Sequence, residues 1–108
     1  MTIWACKNVD ENPEVTMTSW KIVESKYTGD TTSRNIVGRN IDEGDGRVSS
    51  DILSFDAKTM TCITTRGRKY KLLGPSGVDR DASYVWGRWA EINHVVSSRE
   101  VSDEYCRV

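Results

Sequence analysis

The chain has 108 residues, 37% of them apolar and 29% charged, with 15 basic against 16 acidic side chains. That length fits one domain with a core of its own. The near-cancelling charge argues against both the basic footprint of a nucleic-acid binder and the strongly acidic surface of a nucleic-acid mimic.

Residues 1–17 read as an N-terminal arm. A short apolar piece, Ile3-Trp4-Ala5-Cys6, precedes a polar stretch at 7–14 with Pro13 near its end. This predicts an edge strand or arm and then a loop. Trp4 is large enough that it should pack on the domain or against a partner. Residues 1–8 lack the apolar run of a signal peptide, and no stretch approaches transmembrane length. The expectation is a cytoplasmic protein with no membrane partner.

Residues 18–73 read as a β-meander. From Thr18 the pattern has period two, with Trp20, Ile22 and Glu24 alternating with Lys21, Val23 and Ser25 before Tyr27. β-Branched and aromatic residues in that rhythm predict a strand. Thr28-Gly29-Asp30 is a turn. A second strand covers 34–41, where Gly38 marks a bulge or a close backbone approach. Asp42-Glu43-Gly44-Asp45-Gly46 reads as a loop. Alternation resumes over 48–55. After Asp56-Ala57-Lys58, a fourth strand at 59–65 sets Met60, Cys62 and Thr64 against Thr61, Ile63 and Thr65. Arg66-Gly67 reverses the chain into a fifth strand at 68–73. Short strands joined by short turns predict antiparallel pairing.

Gly74-Pro75-Ser76-Gly77 stops the last strand. Asp79 or Asp81 then caps a helix within 79–95, and the acidic first turn suits the helix dipole. Ala82, Val85, Trp89, Ile92 and Val96 follow helical spacing and predict the stripe that faces the sheet, with Trp86 beside it. Gly87 weakens the helix by up to about 1 kcal/mol relative to alanine, so it suggests a close approach by another backbone or ring. The tail, 97–108, offers Val101, Tyr105 and Val108 as anchors for a short extra strand or a frayed end. The expected architecture is α+β: a twisted antiparallel sheet of about five strands, barrel-like, with one C-terminal helix packed on it.

The three cysteines, Cys6, Cys62 and Cys106, are odd in number and form no C-x-x-C pair. This disfavours zinc and thioredoxin-type readings. Cys62 reads as a small buried hydrophobe. A Cys6–Cys106 disulfide is conceivable because chain termini often lie close together, but a reducing compartment disfavours it.

Residues 66–71 hold four cations in six positions: Arg66, Arg68, Lys69 and Lys71, with Tyr70 among them. On a strand, Arg66, Arg68 and Tyr70 share one face and Lys69 and Lys71 the other. Such a strand can track a phosphate backbone and stack a base on the tyrosine. The plainer reading is a solvated face whose lysines protect a sheet edge. The G-x-x-G at 74–77 resembles a phosphate-cradling loop, but Asp79 and Asp81 would repel the anion. Asp42, Asp45 and Gly46 lack the alternating ligands and closing glutamate of a calcium loop. His94, the only histidine, could act as a base toward Cys62 or Cys106, but no local signature joins them. No catalytic, metal or cofactor motif emerges.

Trp20, Tyr27, Phe55, Tyr70, Tyr84, Trp86 and Trp89 invite an aromatic pocket for a flat small ligand. The competing reading is an ordinary core. On helical geometry Trp89 belongs to the core, while Tyr84, Trp86 and Arg88 are left for a partner, since aromatic residues with arginine are common interface anchors. The favoured expectation is non-catalytic binding, either to a protein partner or as a homodimer, using the helix margin and a sheet edge. A small-ligand domain and a nucleic-acid module using strand 66–71 are the alternatives. By type, such compact chains occur among accessory proteins of phages and mobile elements.

Overall fold

The structure, a computed structural model, describes residues 13–29 and 31–105. Residues 1–12 of the proposed arm, with Trp4 and Cys6, the turn residue Asp30, and Cys106 with Val108 lie outside them, while residues 14–17 of that arm belong to a strand. The organising element is a 13-residue strand, β1 (Glu14–Lys26), which starts earlier than the periodicity suggested. It carries Val15, Met17, Trp20 and Ile22 into one buried cluster, and its β-branched and aromatic content suits a half-buried pleated surface. Strict alternation cannot place residues 15, 17, 20 and 22 on one face. A bulge resolves this: the register against the next strand slips between Thr18 and Lys21, and Ser19 adopts a left-handed φ of 45°. One extra residue there switches the inward parity from odd to even, and Val23 is thrown to the opposite face.

β2 (Thr32–Asn40) returns antiparallel to β1. Gly38 lies against the bulge, where an added Cβ would stand 2.9 Å from the Trp20 Cα. This is a close backbone approach that only glycine fills. β3 (Asp45–Val48) continues antiparallel to β2, so part of the expected 42–46 loop is strand.

The predicted strand over 48–55 is two strands. Residues 49–51 break it, and β4 (Ile52–Asp56) leaves to pair with β5 (Thr61–Thr64). The break is chemical, since Ser49 and Asp51 engage β2 through their side chains. The Ser49 hydroxyl accepts from the Ile36 N–H at 2.8 Å and donates to the Ser50 carbonyl at 2.7 Å. Asn35 Nδ2 donates to the Ser49 carbonyl at 2.9 Å and to Asp51 Oδ1 at 3.3 Å.

β6 (Lys69–Leu72) pairs with β5 and then lies parallel to the first half of β1. The second half of β1 takes a different neighbour, β7 (Ser97–Glu100), antiparallel. The tail therefore supplies an extra strand. The order is β3-β2-β1-β6-β5-β4, with β7 beside β1. This is an α+β fold whose sheet is mixed, not purely antiparallel, and mostly open. The 49–51 segment ties the start of β4 back to β2.

The concave face holds the main core: Val15, Met17, Trp20, Ile22, Ile36, Cys62, Tyr70, Leu72 and Val101. Each fully buried large aliphatic there contributes about 1.5–3 kcal/mol by leaving water. Tyr105, behind a short 3-10 turn (Ser102–Glu104), closes that core edge-on against Phe55 with ring centroids 5.0 Å apart. A row of charges pins this closure. Glu24 faces Arg34 on one neighbouring strand and Arg99 on the other. Both arginine Nε–H groups donate to its carboxylate at 3.0 Å. Arg34 also donates to Glu104 at 2.8 Å and to the Tyr105 hydroxyl at 3.2 Å.

Candidate functional site

The helix α1 (Arg80–Ile92) lies on the other face, over β2 and β3. Asp79 is the cap: its side chain accepts from the Ala82 N–H at 2.9 Å and pairs with Arg39 at 3.3 Å. Asp81, the other capping candidate, instead accepts from the Gly46 N–H at 3.3 Å, which ties the first turn to β3.

Only the first half of the helix finds an apolar floor. Ala82 joins Val23 and Val37 in a second, smaller cluster, with Val48 and Trp86 packed against it. Val85 is also buried. Two residues further along the same faces of β1 and β2 the floor becomes polar. Ser25 pairs with Ser33, and Asn35 stands opposite Val23. The helix-side face of β1 and β2 therefore changes along the strands from aliphatic to hydroxyl and amide side chains.

This floor redistributes the roles expected along the apolar stripe. Trp89, assigned to the core, is half-buried and belongs to neither core cluster. Ile92 is 51% exposed, and Val96, beyond the helix end, is 63% exposed. Trp86, assigned to a partner, packs on the sheet. The three residues singled out for contact thus separate. Tyr84 is 64% exposed and Arg88 is exposed, whereas Trp86 turns inward. Tyr84, Arg88 and Ile92 stand at i, i+4 and i+8, one row along the outer side of α1. Arg88 donates to Glu91 at 2.9 Å, so the charge at the centre of the row is locally matched.

The basic segment is taken apart by the fold. Arg68 and Tyr70 share a face as expected, but that face is the interior, and both are buried. The Arg47 guanidinium lies over the Tyr70 ring, 5.7 Å from its centroid. Tyr70 therefore presents no open ring to a base. Arg66, Lys69 and Lys71 are exposed, but Lys69 sits opposite Glu14. β6 is also an internal strand between β1 and β5, so its lysines do not protect an edge.

The remaining motifs resolve into structure. In the 74–77 loop, the Gly77 N–H donates to the Trp20 carbonyl at 2.8 Å, and the Trp20 indole donates to the Gly74 carbonyl at 3.0 Å. That loop is packed on β1, and Asp79 already serves the helix N-terminus. The 41–44 turn is held by Asn40, whose Oδ1 accepts from the Asp42 and Glu43 N–H groups at 3.0 and 3.2 Å. Among the described residues no group of three or more His, Cys, Asp or Glu is placed to hold a metal ion.

Cys62 lies in the concave core, where burial pushes its thiol up to about 12. It is protonated at neutral pH and unsuited to attack. His94 is exposed just past α1, on the opposite face of the sheet. The aromatics do not line one pocket either. Trp20, Phe55 and Tyr70 belong to the concave side and Trp86 to the helix side. A groove of about 380 Å³ opens near the point where β1 exchanges β6 for β7, and Ser76, Glu100, Ser102 and Asp103 line it.

Sequence reasoning passed over two arrangements: the Glu24-centred charge row and the polar floor. The signal for the second was present, since Ser25, Ser33 and Asn35 occupy inward strand positions where aliphatics are usual. No helix among the described residues is long and apolar enough to cross a membrane. No protein-family model, curated protein or solved structure matches the chain.

Proposed function

We propose that this protein is a non-catalytic interaction module that self-associates as a two-fold dimer through the outer row of α1. The observation that carries this reading is the exposed Tyr84–Arg88–Ile92 row, apolar at both ends and charge-matched at its centre. Two copies of such a row laid antiparallel are self-complementary, as a two-fold interface requires. Tyr84 of one copy meets Ile92 of the other, twice, and each Arg88–Glu91 pair approaches its symmetry mate near the axis.

The helix is roughly 20 Å long, so the contact is small and belongs to the weak, transient class. Its strength would rest on the tyrosine and isoleucine, with Trp89 flanking them, rather than on the exposed ion pair. Sedimentation velocity over a dilution series tests the reading. The wild-type coefficient should fall on dilution, whereas Tyr84→Ala and Ile92→Ala should sediment as monomers throughout. Concentration-independent monomer behaviour of the wild type would rule the dimer out and leave a foreign protein as the partner.

A further inference from the structure

β7 is bonded on one side only. Its register against β1, continued by the bond from the Val101 N–H to the Ile22 carbonyl at 2.8 Å, makes Glu24–Arg99 a pair that exchanges backbone hydrogen bonds. The N–H and C=O groups of the alternate residues, Ser98 and Glu100, therefore point away from β1. Among the described residues no strand lies beyond them, and all of β7 is exposed. The other free edges are blunted. The first turn of α1 covers β3, where Asp81 takes the Gly46 N–H, and the β4 ladder is irregular around Leu53. β7 has no bulge and no proline, and its one cation, Arg99, is turned to Glu24.

The groove of about 380 Å³ lies at the Glu100 end of this edge, lined by Ser76, Glu100, Ser102 and Asp103. The charges around it do not cancel. Glu24 and Glu104 are matched by Arg34 and Arg99. Glu100 and Asp103 have no ion-pair partner among the described residues; Lys21, two positions along β1 from the residue opposite Glu100, pairs with neither. The serine hydroxyls add acceptor oxygens. Two carboxylates are too few to hold a bare metal ion, and the groove has room for the end of a lysine or arginine side chain.

We propose that the outer edge of β7 and this groove bind an extended segment of another protein that carries a lysine or arginine. The segment adds a strand by hydrogen bonding to Ser98 and Glu100, so its backbone supplies affinity and the groove supplies specificity. A cation on the added strand beside Glu100 shares its face and enters the groove. A second copy of β7 is a poor occupant, because its arginine is already engaged and it brings the same carboxylates to the edge. The edge is four residues long, so the contact is weak, and it is separate from the outer row of α1.

Titration of ¹⁵N-labelled protein with two synthetic peptides tests this. One alternates threonine and valine around a central lysine, and the other has glutamate in place of the lysine. The lysine peptide should shift the Ser98 and Glu100 amide signals saturably and bind severalfold tighter than the glutamate peptide. Glu100→Gln/Asp103→Asn, two conservative surface changes, should abolish that preference. Ser98→Pro removes an outward N–H while sparing the bonds to β1, and should lose both peptides. No saturable shift in β7, equal affinity for the two peptides, or a preference that survives Glu100→Gln/Asp103→Asn would overturn the site.

Discussion

The contact between α1 and β3 is tight enough that one methyl group should disrupt it. An alanine Cβ at position 46 would fall 2.3 Å from the Ala82 backbone nitrogen and 2.5 Å from both the Ala82 Cα and the Asp81 carbonyl carbon. Ordinary contact between such atoms is about 3.5–4.0 Å. Every obstructing atom is backbone, so no rotamer change relieves the clash. The first helical turn must move away from β3 by more than roughly 1 Å. That shift strains the Gly46–Asp81 hydrogen bond and lifts Ala82 and Trp86 off Val37 and Val48.

Overpacking of this kind costs about 1–3 kcal/mol, and the rigid obstruction places Gly46→Ala at the upper end of that range. For a domain of this size 2–3 kcal/mol lowers Tm by roughly 10 °C or more. Gly87→Ala is the control with the opposite sign. Its Cβ meets nothing within 4 Å, and it sits inside an exposed helical turn. Alanine should therefore raise stability by up to about 1 kcal/mol through helix propensity alone. Thermal melts followed by far-ultraviolet circular dichroism, with urea titrations for ΔG, read both variants. A Gly46→Ala protein as stable as wild type would refute the described packing of α1 on β3.

Two further predictions concern titratable groups. Hydrogen bonds from Arg99 and Arg34 hold the Glu24 carboxyl below its ordinary value of 4.5. A depressed folded-state pKa gives stability that is present above the unfolded value and is lost as pH falls through the folded one. The Tm gap between wild type and Glu24→Gln should therefore stay constant near neutrality and close below about pH 4.5; a gap that persists in acid would exclude the charge row as its source. Cys62, its thiol raised to about 12 by burial, should react with a thiol reagent only at the rate of unfolding in a Cys6→Ser, Cys106→Ser background. Rapid labelling of the native protein would contradict its place in the core.

Local chemistry was readable where a residue type dictates a local conformation. Asp79 reads as a cap because a carboxylate beside a helix start accepts an amide hydrogen, and it does so here. Gly38 reads as a close approach because no side chain fits there. Ser49-Ser50-Asp51 was equally informative and was overridden by the alternation around it, although hydroxyl and carboxylate side chains compete with a ladder for backbone partners. What could not be read was non-local. Nothing in residues 69–72 says that they lie parallel to 14–17, and a serine at position 19 does not advertise the left-handed backbone that switches the parity of β1.

The helix shows the same division. Its periodicity marks which residues share a side, but exposure depends on the floor beneath. Trp89 is half-buried and Ile92 exposed, while Trp86 packs against the small cluster of Val23, Val37 and Ala82. Tyr84 and Arg88 remain outside, as the sequence suggested, and Ile92 joins them.

Size-exclusion chromatography with multi-angle light scattering tests the central claim most directly, run at high protein concentration on wild type, on Tyr84→Ala/Ile92→Ala and on Lys71→Ala. The account predicts, for the wild type and for Lys71→Ala, a mass above that of the chain that rises toward twice that value with loading concentration, and the chain mass for the double variant at every concentration. A wild type at the chain mass, or a double variant that stays dimeric, would contradict self-association through the outer row of α1.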